Sequence, residues 1–486
     1  MLQRATLRSL ALRFITVTLS LGPVAVTAQS TPTERAAAKG VLEQLEVLQA
    51  KLAPTAMAER LVARKDADRD KLLQRVEASW KGGMQDLSDW IGRHPETGWK
   101  EFLAVDTLTK VLKSQGFTIE AGVAGLKTAF VATWDSPAGI AGPTLGLIAE
   151  YDALRGTQGD FHGDQHNAQS PVAMAAAQGL MAFMSERKIP GRIKIYGTPA
   201  EEVGPPAKVI MWKAGIFKGA DIMIRSHGIG GQTSRTRMGF GSCCLNINEV
   251  KFIFRGRPSH QMSSWNGRNA LEAAVMFYSA VDHLRSSLRP EVSVQGVIPE
   301  GGIAPNVVPD RAVVDYYIRY PDEVYLAHVD SMIVHAAKGA AMATGTTVEM
   351  DRTGGEYRDG FSLGTLEELM FAYVKRFGAV RVNPEPLRPS GYEETGWMAR
   401  DIPGVGVTAA SSDFSNHTYE MTADNYSPLG HGAFLIDAKT EAAILYDFLT
   451  DAVFRAAVQT EFKMLASLFD QYQAGLRAAY KDEIGR

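Results

Sequence analysis

The sequence predicts an α/β protein in which a mostly parallel, mixed sheet flanked by helices is interrupted by a smaller α+β domain. Three observations carry this expectation. Strand-like and helix-like segments alternate between residues 128 and 225, the pattern changes near Asn246 to strand–helix–strand–strand–helix–strand, and ordinary alternation resumes at Thr365. A length of 486 residues with 45% hydrophobic and 22% charged content exceeds what one compact domain usually holds. The formal net charge of -3 gives no field to hold a nucleic-acid backbone or an anionic membrane, so the expected partner is a small molecule.

In chain order, Arg4, Arg8 and Arg13 precede an uncharged apolar run at 14–26 that ends in small residues around Ala28. This reads as a secretory signal peptide over 1–28, too short to span a bilayer, and implies a periplasmic or secreted mature protein with no membrane attachment after cleavage. Residues 32–78 carry apolar positions at helical spacing and predict exposed amphipathic helices, with the charged run 64–75 as a solvated face. A helix follows His94-Pro95-Glu96 and runs to Gly116; strands are expected at 128–134 and 144–150. Next come a long apolar helix at 171–184, a strand at 192–196, a helix at 207–214 and a strand at 221–225. The two cysteines, Cys243 and Cys244, are adjacent, too close for a relaxed disulfide, and read as packing residues.

The inserted module is expected as strand 249–254, helix 269–284, strands 292–297 and 312–319, helix 323–341 and strand 346–350. Residues 440–480 read as one long helix. The expected division is therefore a catalytic domain in two parts, 29–246 and 356–486, around an inserted lid or dimerisation domain at 247–355.

Asp164, His166, Glu201, Glu202, His227 and His431 form a set of oxygen and imidazole donors suited to zinc-type hydrolysis. Asp164 and His166 precede the long helix, Glu201 and Glu202 follow one strand, and His227 follows another, which is where open α/β sheets bind ligands. Five of the six can ligate metal, leaving one carboxylate to accept a proton from water. Each has an ordinary alternative: Asp164 as a helix cap, the glutamates as a solvated pair, His227 as a strand end bonded to backbone, and His431 as a turn residue. Tyr392, Trp397, Tyr419 and Tyr426 are candidates for an aromatic pocket or for core and rim.

Seven segments together resemble the M20 metallopeptidase family, closest to its aminobenzoyl-glutamate hydrolase and amidohydrolase branch. They are His94-Pro95-Glu96, residues 125–133, Ala149-Glu150-Tyr151-Asp152-Ala153-Leu154, residues 196–202, Gly267-Arg268-Asn269-Ala270-Leu271, residues 301–309 and Ser411-Ser412-Asp413. The resemblance implies a di-metal amidohydrolase or peptidase acting on N-acyl or N-aroyl amino acids or small dipeptides through a metal-bound hydroxide. It places Asp164, His166, Glu202, His227 and His431 at ligand positions, Glu201 as general base and Asp152 as an orienting residue. His260 is expected to reach a partner subunit's site and stabilise the oxyanion, while Asn306 and Arg319 match positions that hold a substrate carboxylate. A homodimer or higher homo-oligomer follows from the same likeness.

The branch normally carries Cys-Gly-His-Asn or Cys-Gly-His-Asp where this chain has Asp164-Gln165-His166-Asn167. An oxygen donor in place of a thiolate favours zinc, manganese or cobalt and removes an oxidisable ligand. Two rival functions are an esterase or deacetylase on the same scaffold, and a binding protein that lost its metals through the exchange.

Overall fold

The structure is a computed structural model that describes residues 32–240 and 246–484. The expected signal peptide and Cys243 and Cys244 lie outside the described residues.

The central sheet contains β1 (Thr118–Ala121), β2 (Phe130–Asp135), β3 (Thr144–Ala149), β4 (Arg192–Gly197), β5 (Ile222–Ser226) and β12 (Gly404–Val407), ordered β1-β2-β4-β3-β5-β12. β4, β3, β5 and β12 run parallel, while β1 and β2 add an antiparallel edge. Burial explains their sequences: β3 and β5 are covered on both faces and therefore read as continuous apolar runs rather than alternations. β1 is mostly exposed, and its alternation is too short to stand out in the sequence.

One side of the sheet is covered by α6 (His166–Arg187) and α13 (Pro428–Thr450), backed by α3 (Ala67–Ser79) and α4 (Gln85–Arg93). α6 begins at His166, before the expected start at Pro171, which lies inside the helix. Proline favours a first turn, but the whole stretch 166–177 is buried, and packing overrides the local signal. This shift brings His166 to the helix N-terminus. α1 (Pro32–Leu52) and α2 (Pro54–Ala63) pack on α14 (Ala452–Ile484) and α10 (Gly364–Arg376). The single C-terminal helix expected at 440–480 is broken at Asp451, whose carboxylate accepts the Phe454 N–H at 2.9 Å and pairs with Arg60 at 2.8 Å. None of the described helices is long and apolar enough to cross a membrane.

Between β5 and α10 the chain builds an antiparallel five-stranded sheet from β7 (Ile247–Arg255), β8 (Ser293–Glu300), β9 (Arg311–Arg319), β10 (Thr347–Asp351) and β11 (Glu356–Tyr357). With α8 (Ala270–Leu284) and α9 (Glu323–Thr344) it reproduces the expected strand–helix–strand–strand–helix–strand order. Phe252, Phe254, Phe277 and Tyr316 form its aromatic core, with Phe252 and Phe277 centroids 4.6 Å apart. The short strands β6 (Ile229–Gly230) and β13 (Ala410–Ser412) pair outside both sheets. α5 (Phe102–Ser114), α7 (Ala207–Lys213), α11 (Trp397–Asp401) and α12 (Tyr419–Asp424) complete the chain.

One contact between helices makes a stability prediction. Glu461 on α14 is buried and accepts the N–H groups of Gly364 at 2.5 Å and Thr365 at 3.0 Å, capping α10 from outside. Burial raises its pKa from 4.5 to about 7. Between those values the folded protein keeps a proton that the unfolded chain releases, so stability from this group falls as pH rises through the window. Glu461→Gln is expected to flatten that dependence by about 3 kcal/mol, measured by urea unfolding at both ends of the window. An unaltered pH dependence refutes the assignment.

Candidate metal centre

The donors gather where the parallel strands end. Glu150 and Asp152 directly follow β3, Glu201 and Glu202 lie in the loop after β4, and His227 follows β5. His166 opens α6, so its ring and Asp164 meet the same sheet edge from the helix side. Two sets of side chains offer ligand atoms that all lie within 4.8 Å of one another: Glu150, His166 and His227, and Asp164, His166 and Glu202.

Adjacent glutamates in an extended loop point to opposite sides, and here the backbone turns to admit both. Ala200 adopts a left-handed conformation with φ 52. Its N–H donates to the buried carboxylate of Glu101 at 2.7 Å. Gly98 lets the loop pack closely, since a Cβ there would meet the Ala200 Cα at 3.0 Å. Both glutamates then line one pocket of about 220 Å³ together with Asp164, His227, Tyr317, Tyr357 and His417.

Asp152 fixes two of these groups. One oxygen lies 3.1 Å from His166 Nδ1 and the other accepts the Glu202 N–H at 2.9 Å. A carboxylate on Nδ1 turns Nε2 towards the cluster, as in carboxylate–histidine–metal arrangements. His227 donates from Nδ1 to the Gly228 carbonyl at 2.9 Å, which likewise frees Nε2. The two rings meet edge to face with centroids 5.5 Å apart.

The electrostatics favour a cation. Burial, then the hydrogen bond shared with Asp164, pushes Glu202 up to about 11. Burial also opposes the charged form of Asp164, but His166, Glu202 and His227 together outweigh it and hold Asp164 below the usual carboxylate range. For His166, burial is outweighed by Asp164, Asp152 and Glu150, so its pKa lies well above the ordinary imidazole value. Burial and Arg225 lower His227 to about 4, leaving it in the neutral form that ligates metal. Asp164 Oδ2 and Glu202 Oε1 are buried without a hydrogen-bond partner, and His166 Nε2 lies 3.2 Å from Glu150 Oε2. Two carboxylates sharing a proton beside orphaned acceptor atoms fit a divalent ion, which neutralises the same charge with better-matched ligands.

Behind the donors lies a buried ion network. Lys208 pairs with Glu150 and Glu394, and Arg225 pairs with Glu394 and lies 3.4 Å from Glu150. These cations hold Glu150 well below its usual range despite complete burial. For Glu201 the balance is reversed: burial, then Glu394, outweigh the opposing effect of Lys208 and raise its pKa well above the ordinary value, in the direction a proton acceptor needs.

The structure thus brings together Asp164, His166, Glu201, Glu202, His227 and Asp152 and leaves four expected site residues apart. His431 is the correction. It stands on α13, where Ser427 caps the helix and Pro428 opens it, and its Nε2 lies 2.8 Å from Asp89. The imidazole at the centre is His417, with Nε2 3.8 Å from Asp164 and 3.6 Å from Glu202. Asn416 anchors that loop by accepting the Gly230 N–H at 2.9 Å and donating to the Gly228 carbonyl at 3.2 Å. His260, Asn306 and Arg319 are exposed on the inserted sheet and its loops and do not line the pocket of their own chain. Glu150 is a further member that sequence reasoning passed over; a carboxylate closing a fully apolar strand was its signal.

Residues 245–344 match the peptidase dimerisation domain of M20. Over 416 residues the chain is 29% identical to the Xaa-Arg dipeptidase of Mus musculus, covering 83% of this chain and 92% of that one. Over 320 residues it is 31% identical to the B-subunit of p-aminobenzoyl-glutamate hydrolase from Escherichia coli (strain K12), covering 62% and 64%. Its fold is similar to the crystal structure of the aminobenzoyl-glutamate utilization protein from Klebsiella pneumoniae, with a TM-score of 0.57, 19% identity and coverage of 78% and 98%.

Proposed function

We propose that the chain, which carries an M20 peptidase dimerisation domain and is similar along most of its length to amide-bond hydrolases, cleaves N-acyl or N-aroyl amino acids or small dipeptides. The observation that carries the reading is the pair Glu201 and Glu202 turned into one pocket with three imidazoles and Asp164. We assign Asp164, His166, Glu202, His227 and His417 to hold the metal, two divalent ions of zinc, manganese or cobalt. Bound there, such ions acidify water and polarise the scissile carbonyl.

The chain's own residues do the rest. Glu201 takes a proton from the attacking water and returns it to the leaving nitrogen, so one carboxylate serves both steps. Asp152 holds His166 and the Glu202 backbone in place, and Tyr317 from the inserted domain and Tyr357 just after it narrow the pocket and limit water. His260 of a second copy donates to the developing oxyanion, with Asn306 and Arg319 placed to receive a substrate carboxylate. This needs a homodimer formed through residues 247–355, the inserted domain between catalytic parts 29–246 and 356–486. Export of the mature chain to the periplasm or medium fits the oxygen ligand at Asp164.

The test is a screen of N-acyl and N-aroyl amino acids, with matching esters, against metal-loaded protein. Chelation is expected to abolish amide hydrolysis and re-addition of metal to restore it. Turnover that survives chelation, or of esters alone, overturns the proposal.

A further inference from the structure

A second cavity, of about 520 Å³, adjoins the metal pocket: His227 lines both, and the neighbours Asn416 and His417 are divided between them. Its size suits a small organic group, and Met370, Leu387 and Tyr392 give it apolar walls. Most charges on its lining are already matched. Glu394 is held by Lys208 and Arg225, which also face Glu150. Arg235 pairs with Glu368 at 2.6 Å and lies over the Phe371 ring. Glu367 is buried in the wall and accepts the Thr236 N–H at 3.0 Å, and Glu393 is buried and accepts the Thr395 N–H at 2.8 Å.

Arg388 differs from all of these. It lines the cavity, is exposed, and has no ion pair or hydrogen bond among the described residues. The backbone that presents it is held, because the preceding Leu387 exchanges backbone hydrogen bonds with Arg235 at 2.8 Å and Arg237 at 3.0 Å. A guanidinium with free donors at the mouth of an apolar chamber matches a carboxylate carried on an apolar or aromatic spacer.

Resting on the amide-hydrolase reading above, we infer that this chamber is the specificity subsite and that Arg388 selects substrates bearing a second carboxylate besides that of the cleaved amino acid. Its carrier is either the acyl group or the amino-acid side chain, and two substrate pairs cover both.

The experiment uses the metal-loaded full chain with N-succinyl-alanine against N-butyryl-alanine, and N-acetyl-glutamate against N-acetyl-glutamine. In at least one pair the acidic member is expected to show a KM lower by about tenfold. Arg388→Met is expected to erase that ratio, chiefly through KM of the acidic member, and Arg388→Lys to restore part of it. Equal KM values within both pairs, or a ratio unaffected by Arg388→Met, overturn the inference. If no amide is cleaved, it is the hydrolase reading that fails; calorimetric affinities of the same compounds for wild-type and Arg388→Met protein then decide the role of Arg388 separately.

Discussion

Glu201→Gln is expected to lower kcat by about 10²–10⁴-fold while leaving metal content at the wild-type level. Glutamine keeps the size of the side chain and its place in the loop but accepts no proton at neutral pH. The loop geometry should survive, since it is set by Ala200, Glu101 and Gly98 rather than by the Glu201 carboxylate. Burial and Glu394 also raise the proton affinity of Glu201, in the direction needed to take up a proton and give it back. Kinetics should be paired with metal analysis of the same preparation. Retention of more than a tenth of wild-type kcat excludes Glu201 as the base, whereas parallel loss of metal would move it into the ligand set.

The second large effect separates two histidines. His417→Ala is expected to weaken metal binding by at least about tenfold and to lower activity accordingly, because it removes an imidazole that faces both Asp164 and Glu202. His431→Ala, by contrast, removes a partly exposed contact with Asp89 and should change stability by no more than about 1 kcal/mol, with kcat and metal content preserved. Metal titration of apo protein measures the first and chemical unfolding the second. The reverse pattern would return His431 to the centre and remove His417.

The sheet and the inserted module were legible because their patterning is strong. Buried parallel strands read as apolar runs, and β7 and β9 carry alternations that a two-layer module requires. Asp164, His166, Glu201, Glu202 and His227 could be found because each follows or precedes a recognisable element. The third imidazole could not be placed by type alone. His417 and His431 both stand among small and polar residues, and choosing between them required noticing that Ser427-Pro428 announces a helix start, which carries His431 into α13. His417 instead follows β13 closely, as the other donors follow their strands. The start of α6 was misjudged for a related reason: proline is a local signal, and the burial that overrules it is a property of the whole fold.

β12 lies beside β5, and Glu394 and His417 meet groups from the first half of the chain, although the entire inserted sheet separates them in sequence. On the proposed assignment, a nascent polypeptide therefore carries Glu201, most of the candidate ligands and the cations Lys208 and Arg225 for many residues before Glu394, which pairs with those cations, and His417 leave the ribosome. Activity is then expected only once the final third has been synthesised. Dividing the gene within the insertion should yield two inert fragments whose reassociation can be scored directly by recovered catalysis.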